Sequence, residues 1–330
     1  MSRRCRAFTL VELLVVTAIM ATFFSLIVAG ANPGSGSQVR QAAQSLASAL
    51  TAAQSRALGN PAGAAVILES GTVAGVSANM CVTAYHADSP PLITGTTTTA
   101  GLPFPAGATS ASVTLIPDNG DAEDLVSAYK IQFGGAAVGA VPYQPPSDWF
   151  SLDSGTVRFR TTDGQTALNT IWPQATPSNP LAFRAARYPA KGPVAVQCGK
   201  SAAIDLRFSG IGDDPTTTWG GLAGKGSLAI AFDSLGGIDA LMQQVLKTGS
   251  RTSDPSPVDP VEPIYFFVAS RAAIANAGVS SLSDQQAIWV VVHPQTGRVS
   301  IAANVPQSGS DATALRAARA KARAGVSFGK

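Results

Sequence analysis

The sequence is short of charged residues, histidine and cysteine. Only 13% of its 330 residues are charged, and it contains two histidines and three cysteines. So few imidazoles and thiols argue against a zinc site with several protein ligands. The low charge and a hydrophobic share of 45% argue against a disordered chain. The length suffices for a sizeable core in one large domain or two small ones.

Sequence motifs for catalysis are also missing. The chain has no nucleophile elbow, no zinc-protease helix motif, no phosphate-binding loop and no dinucleotide fingerprint. His86 lies two residues before Asp88, and His293 ends a strand-like run. We interpret both histidines as surface or hairpin residues and not as catalytic bases. The sequence therefore predicts a protein that is not an enzyme and has no cofactor.

Charge is unevenly placed along the chain. Arg3, Arg4 and Arg6 account for the whole net charge of +3, so the remainder has no basic field. Residues 8–29 then form an apolar run of 22 residues with a single charge, Glu12. A helix of this length spans ~33 Å, enough for a hydrocarbon core of ~30 Å. The sequence predicts a transmembrane helix over 8–29, with its start in the cytoplasm and the remainder of the chain outside.

Glu12 requires an explanation, because a carboxylate inside a membrane costs about 2.5–3.5 kcal/mol. Cleavage between Ala7 and Phe8 would place a new amine four residues before Glu12, on the same helix face. In a stack of parallel helices, the amine of one subunit would instead meet Glu12 of the next, where apolar surroundings strengthen the attraction. A local alternative is a helix capping box formed by Thr9 and Glu12, and the two roles are compatible.

Two other interpretations of the N-terminus remain open. A secretory signal peptide would be cleaved near Ala29, although its apolar core is usually only 7–15 residues long. A plain membrane anchor fits the length of the run and leaves Glu12 without a role. A lipoprotein signal is excluded, because Cys5 follows arginines and not an apolar segment.

The stretch RAFTLVELLVV, from Arg6 to Val16, resembles the class III signal of type IV pilin-like proteins, which are the pilins and the pseudopilins of type II secretion. The resemblance implies that a prepilin peptidase and methyltransferase removes residues 1–7 as a leader and methylates Phe8. It also implies that Glu12 directs assembly with other pilin or pseudopilin subunits. The family usually has glycine before the cut, whereas this chain has Ala7.

The next segments predict a broken helix. Residues 30–37 contain Pro33 and three glycines, and they should interrupt the helix. An amphipathic helix is predicted over residues 38–60, with apolar residues every three or four positions and a Gly-Asn-Pro stop. Its apolar stripe consists of Val39, Ala43, Leu46, Leu50, Ala53 and Ala57.

Residues 61–305 consist mainly of short apolar runs that end at Gly, Pro, Asn or Asp, which is typical of strands. Residues 238–247 are the exception, and they predict a short helix. Residues 134–193 contain eight prolines and few clean strands, so we interpret them as an inserted region. The predicted fold class is α+β: a long N-terminal helix, half transmembrane and half amphipathic, packed on a mainly antiparallel sheet. The predicted strands are 64–69, 80–85, 112–116, 129–133, 156–160, 194–198, 203–208, 227–232, 264–269, 288–293 and 298–302.

The amphipathic helix, the strand after it and the closing hairpin WVVVHPQTGRVS resemble the H-type minor pseudopilins and the fimbrial T-type minor pilins. This resemblance implies a structural subunit of a type II secretion pseudopilus or a type IV pilus. It implies a single-pass protein in contact with bacterial inner-membrane lipid, with an extracytoplasmic domain. Two alternatives remain: a DNA-binding minor pilin for DNA uptake, and an unprocessed membrane-anchored surface domain.

Cys81 and Cys198 are candidates for a disulfide. Both lie in strand-like runs predicted to be outside the cytoplasm, where disulfides persist. Two buried free thiols are the alternative, because the sequence does not supply the distance between them. Asp118, Asp121 and Asp124 form an acidic loop that is a weak calcium candidate without EF-hand spacing, and a solvated turn is the alternative.

Residues 306–330 form a basic tail. An alanine-rich stretch there predicts a helix with Arg316, Arg319 and Arg323 on one face. Together with Arg298 these residues are candidates for contact with an anion, either lipid headgroups or nucleic acid. A frayed, solvated terminus is the alternative.

Overall fold

The computed structural model describes residues 16–17, 19–20, 35–70, 79–98, 106–134, 150–153, 155–160, 180–243, 257–275, 281–309 and 311–325. Residues 16, 17, 19 and 20 are helical and exposed. The leader, the cleavage pair Ala7 and Phe8, Glu12 and the rest of the 8–29 run lie outside the described residues, as does most of 134–193. In the described part of the chain, no helix is both long enough and apolar enough to span a membrane.

Three α-helices and fifteen strands make up the described fold. The helices are α1 (Ser35–Ala57), α2 (Arg271–Ala275) and α3 (Ala312–Arg323), and 3-10 turns cover Ala122–Ser127 and Ser281–Ser283. The strands are β1 (Ala64–Ser70), β2 (Met80–Asp88), β3 (Ile93–Thr97), β4 (Ser110–Pro117), β5 (Ala128–Phe133), β6 (Phe150–Asp153), β7 (Thr156–Arg160), β8 (Ala182–Arg187), β9 (Ala190–Gln197), β10 (Ala202–Ile211), β11 (Leu228–Phe232), β12 (Ile238–Gln243), β13 (Ile264–Ser270), β14 (Ile288–Val292) and β15 (Val299–Ala303).

The strands form two antiparallel sheets. The large sheet has the order β12-β11-β1-β2-β10-β13-β14-β15, with β9 also paired to β2. The small sheet has the order β5-β8-β3-β4-β7-β6. Together with the helices, these two sheets confirm the α+β class predicted from the sequence.

Helix α1 lies along one face of the large sheet. It begins at Ser35, so the last three residues of the segment 30–37 that we predicted as a break are helical, including Gly36. Its predicted apolar stripe, which includes Leu46 and Leu50, is buried against strand residues such as Val66 and Phe266. The helix ends at Ala57, and Gly59 follows with a φ of 77°, a left-handed conformation that favours glycine.

Helix α3 covers the opposite face of the large sheet, at the end formed by β10, β13, β14 and β15. Leu315 and Ala318 of the helix pack in a cluster with Phe267 and Trp289. The Asp311 side chain accepts a hydrogen bond from the Ala314 N–H at 2.7 Å and caps the start of the helix. The basic tail is therefore a packed helix, and the alternative of a frayed terminus is wrong for residues 312–323.

One sequence prediction about the body is wrong. Ile238–Gln243 is strand β12 and not a helix, because its backbone pairs with β11 at the sheet edge. The region 134–193 that we predicted as an insertion differs in its bounds from the small sheet, which is built from strands between Ile93 and Arg187. The core of the small sheet contains Phe133, Phe159 and Phe183.

The two sheets meet through a polar contact. On β5, the Tyr129 hydroxyl donates to Asp239 Oδ2 on β12 at 2.5 Å, and Lys130 forms an ion pair with Asp239 Oδ1. Burial, followed by the nearby Asp239 charge, raises the pKa of Tyr129 well above its usual value, so this hydroxyl stays a donor at neutral pH. The ring of Tyr129 also packs in an apolar cluster with Ala231 and Met242 of the large sheet, so polar and apolar contacts together hold the two sheets against each other.

Candidate functional site

The arginine face of α3 is not an open anion site. Arg319 is fully buried, and its guanidinium donates hydrogen bonds to the carbonyls of Gly212 and Gly220 at 2.7 Å and of Phe208 at 2.8 Å. Its guanidinium also lies 5.4 Å from the ring centroid of Tyr265. Arg319 is therefore unavailable to lipid or nucleic acid, which corrects the prediction made from the sequence.

Glycine makes the close approach around Arg319 possible. A Cβ atom at position 210 would lie 2.0 Å from the Gly220 carbonyl oxygen and 2.9 Å from Arg319 Nη2. Only a residue without a side chain leaves room for both groups. Desolvation by burial lowers the pKa of Arg319 to about 10, so the side chain remains charged at neutral pH among these carbonyls.

The other two arginines on this face have carboxylate partners. Arg316 pairs with Asp214 at 2.8 Å, and Arg323 pairs with Asp213 at 3.2 Å. Hydrogen bonds from Arg316 and then from Thr216 hold the pKa of Asp214 well below its usual range. The role of these two adjacent aspartates depends on their contact with α3.

Arg298 differs from the other three arginines. It is exposed at the turn between β14 and β15 and forms no ion pair within the described ranges. Arg316, Arg319 and Arg323 are held by the segment from Phe208 to Gly220, so a four-arginine anion surface is not present. The structure thereby weakens the basis of the DNA-uptake alternative.

The acidic loop does not form a cation site. Asp118 and Asp121 are exposed, and Asp124 lies 3.4 Å from Arg187 in an ion pair. Asn119 ties the loop down, because its Oδ1 accepts a hydrogen bond from the Thr94 N–H at 2.7 Å. Among the residues that the structure describes, no three acidic, histidine or cysteine side chains converge to hold a metal ion. The calcium candidate gains no support from this arrangement.

Cys81 lies on β2, and Cys198 directly follows the neighbouring strand β9, beneath α1. Both are buried thiols of one core cluster, and the Cys198 N–H donates to the Val82 carbonyl at 2.9 Å. Burial raises the pKa of Cys81 far above its usual range and that of Cys198 to about 11. The thiols are free in the structure, so the disulfide stays a prediction.

The outward face of α1 includes a row of uncharged polar side chains. Gln41, Gln44, Ser48, Thr51 and Ser55 are exposed along it. Because the opposite face is packed on the large sheet, the direction of α1 is fixed relative to the domain. The segment that precedes α1 in the chain is the apolar N-terminal run.

Residues 2–28 match the prokaryotic N-terminal methylation motif. The match supports a type IV pilin-like protein, processed by a prepilin peptidase and assembled with other pilins. The methylation motif also implies membrane anchoring through the N-terminal region, and it indicates a structural subunit more than an enzyme. No curated protein and no solved structure matches the chain.

The methylation motif contains the residues that carried the sequence argument, namely Ala7, Phe8 and Glu12. It ends at residue 28, seven positions before the first residue of α1. The motif and the packed domain are thus separated by only six residues in the sequence.

Proposed function

We propose that this protein is a minor pilin or pseudopilin, a structural subunit of a type II secretion pseudopilus or a type IV pilus. The single observation that carries the proposal is the methylation motif over residues 2–28, which ends seven positions before a helix packed on an antiparallel sheet. The precursor would be a single-pass inner-membrane protein with its β-rich domain outside the cytoplasm. Its function is structural, as one subunit of the filament.

The proposed assembly contact is electrostatic. After cleavage between Ala7 and Phe8, the methylated amine of Phe8 in one subunit would pair with Glu12 of its neighbour. In apolar surroundings such a pair is strongly favoured over either charge alone, and it sets the axial register of parallel helices. This contact explains why an acid lies inside an otherwise apolar run.

The α3 arginines favour this structural role over DNA uptake. Arg316, Arg319 and Arg323 are held by aspartates and carbonyls of the same chain, so they stabilise the domain. Of the four arginines predicted as anion contacts, only Arg298 is exposed without an ion pair in the described part of the chain. One arginine neutralises one phosphate, which supports only weak binding to nucleic acid.

Intact mass spectrometry of the filament-associated protein tests processing. We expect the loss of residues 1–7 and the addition of one methyl group at Phe8. A full-length, unmethylated chain would instead support the unprocessed surface domain. Substitution of Ala7 by glycine, the residue that the family usually has there, is a matched control, and it should leave the product mass unchanged.

The assembly contact is tested by Glu12→Val, with Glu12→Asp as the matched control that keeps the charge. We expect the valine variant to be processed normally and to be largely missing from sheared filaments. The aspartate variant should retain part of its incorporation. Normal incorporation of the valine variant would contradict the pairing of Glu12 with the Phe8 amine.

A further inference from the structure

Strand β15 ends the large sheet with an unpaired outer edge. At its two ends, the His293 N–H donates to Arg298 and the Asn304 N–H donates to Ala287, both at 3.0 Å. Hydrogen-bonded pairs alternate along an antiparallel ladder, so every second residue of β15 bonds towards β14. The remaining residues are Val299, Ile301 and Ala303. Their backbone N–H and C=O groups point away from β14, and within the described ranges these groups have no hydrogen-bond partner.

The other edges of the described sheets are protected. Strand β9 carries Lys191 and Pro193, which discourage the addition of another strand. The β12 edge is closed by a bridge in which Leu241 and Val258 exchange two hydrogen bonds of 2.9 Å. In the small sheet, the edge strand β6 has only four residues, and β5 carries Lys130. Strand β15 has the sequence VSIAA, with no charge, proline or register shift.

A shallow groove of about 470 Å³ lies beside this edge, between α1 and β15. Ile301 lines it from the strand, and Gln44, Ser48, Thr51 and Ser55 line it from the helix. A strand added to β15 would direct alternate side chains into this groove. The lining has no charged side chain, so it suits small or β-branched uncharged residues.

We propose that the β15 edge and this groove bind an extended, uncharged peptide strand of a different protein subunit by β-strand addition. The main-chain groups of Val299, Ile301 and Ala303 provide the hydrogen bonds. The groove selects the side chains at alternate positions of the incoming strand.

A second copy of this chain fits the edge less well. The Gln54 side chain donates to Thr296 at 2.7 Å near the start of β15, whereas Gly36 adjoins Gln286 near its end, so α1 and β15 run in opposite directions. Antiparallel pairing of two β15 strands would follow a twofold axis and would reverse α1 in the second copy. The two N-terminal motifs would then leave in opposite directions, which does not suit anchoring in one membrane. This choice of occupant rests on the proposed function, which the intact mass tests separately.

The test uses the full chain in detergent and a blocked synthetic peptide of alternating threonine and valine. We expect saturable binding, and slower amide exchange at Val299, Ile301 and Ala303 but not along β9. A peptide of the same length with proline at every position should not bind, because it has no N–H groups in either register. Unchanged exchange at β15, or equal binding of the proline peptide, would overturn the proposal. Concentration-dependent protection without peptide would also overturn it, because a second copy would then occupy the edge.

A matched pair of variants sharpens the result. Ala303→Lys puts a charge at the open edge, and it should weaken peptide binding by about tenfold. Val194→Lys puts the same charge on β9, where Val194 is 57% exposed, and should leave binding unchanged. Equal effects of the two substitutions would contradict a site at β15. The exchange measurement on the unsubstituted chain decides the question even if a variant folds poorly.

Discussion

The large and small sheets differ in how many of their faces are covered. Strand β14 of the large sheet is buried at all five positions, because α1 packs on one face and α3 on the other. Strand β7 of the small sheet alternates between buried and open residues, with Val157 and Phe159 inside and Arg158 and Arg160 outside. Both patterns arise from a side-chain period of two, and the number of covered faces decides which one appears.

This difference shows what an unbroken apolar strand means. The run IWVVV in β14 is apolar throughout, although its side chains point alternately to α1 and to α3. Both faces of this strand are buried, so α1 and α3 are both packed on the large sheet. The small sheet instead keeps one polar face, so it can be altered there at little cost. Five predictions test this comparison, from the largest expected effect to the smallest.

The largest change in the free energy of unfolding is expected from the disulfide predicted between Cys81 and Cys198, which would link β2 to the end of β9 in the large sheet. If the bond forms, its reduction should lower the free energy of unfolding by about 4–5 kcal/mol, since it closes a long loop. Alkylation in denaturant without reductant measures its state, because a disulfide protects both cysteines and free thiols leave two to be labelled. Two labelled cysteines would contradict the disulfide.

Trp289→Ala should reduce the free energy of unfolding by about 3–5 kcal/mol. Trp289 is fully buried on the α3 side, and its Nε1 donates to Asn304 Oδ1 at 3.0 Å, so the variant also leaves this buried oxygen without its donor. Phe159→Ala in the small sheet is the matched control, and it should fall at the lower end of this range. Denaturant unfolding in detergent measures both, and a larger loss for Phe159→Ala would contradict the comparison.

Arg319→Met should cost about 2–3 kcal/mol, because three buried carbonyls lose a charged donor while the side-chain volume is kept. The same substitution at Arg316, whose side chain is 50% exposed, should cost far less. Thermal unfolding of the two variants measures the difference. Similar losses would show that burial of Arg319 adds nothing to the docking of α3.

Val290→Thr should destabilise the protein by about 1–3 kcal/mol, because a hydroxyl is then buried beneath α1. The reverse change, Thr114→Val, lies on the open face of the small sheet and should stay within about 0.5 kcal/mol. Both substitutions exchange one methyl for one hydroxyl, so shape is nearly constant. Denaturant midpoints compare them, and equal effects would refute the assignment of one open face to the small sheet.

The smallest change in stability is expected from Asp259, which lies near Lys130 and Asp239 at the contact between the two sheets. Burial, opposed by the charge of Lys130, raises the pKa of Asp259 above its ordinary value of 3.8. The folded state therefore binds more protons than the unfolded state just above pH 3.8, so this group's contribution to stability falls as the pH rises through that window. Asp259→Asn should slightly raise the melting temperature at neutral pH, with no gain at pH 3. An equal gain at both pH values would exclude ionisation as the cause.

Several elements were predictable from local sequence. Strand β7 has the predicted bounds Thr156–Arg160, and the apolar stripe of α1 is buried as the helical spacing predicts. Strand β8 was missed because Ala182–Arg187 is rich in alanine and arginine and lacks β-branched residues. Strand β12 was taken for a helix because a short apolar run has no distinct period, and only its pairing with β11 decides its state.

The N-terminal motif can be recognised from the sequence alone, whereas the roles of the α3 arginines depend on the tertiary structure. The methylation motif, with Phe8 and Glu12, is contiguous, so its residues alone determine that the chain carries a processing and anchoring signal. The role of Arg319 depends on carbonyls about a hundred positions away, and the open edge of β15 depends on which strand is last in the sheet. Only the tertiary structure decides these features, because burial and pairing depend on contacts between segments that are distant in the sequence.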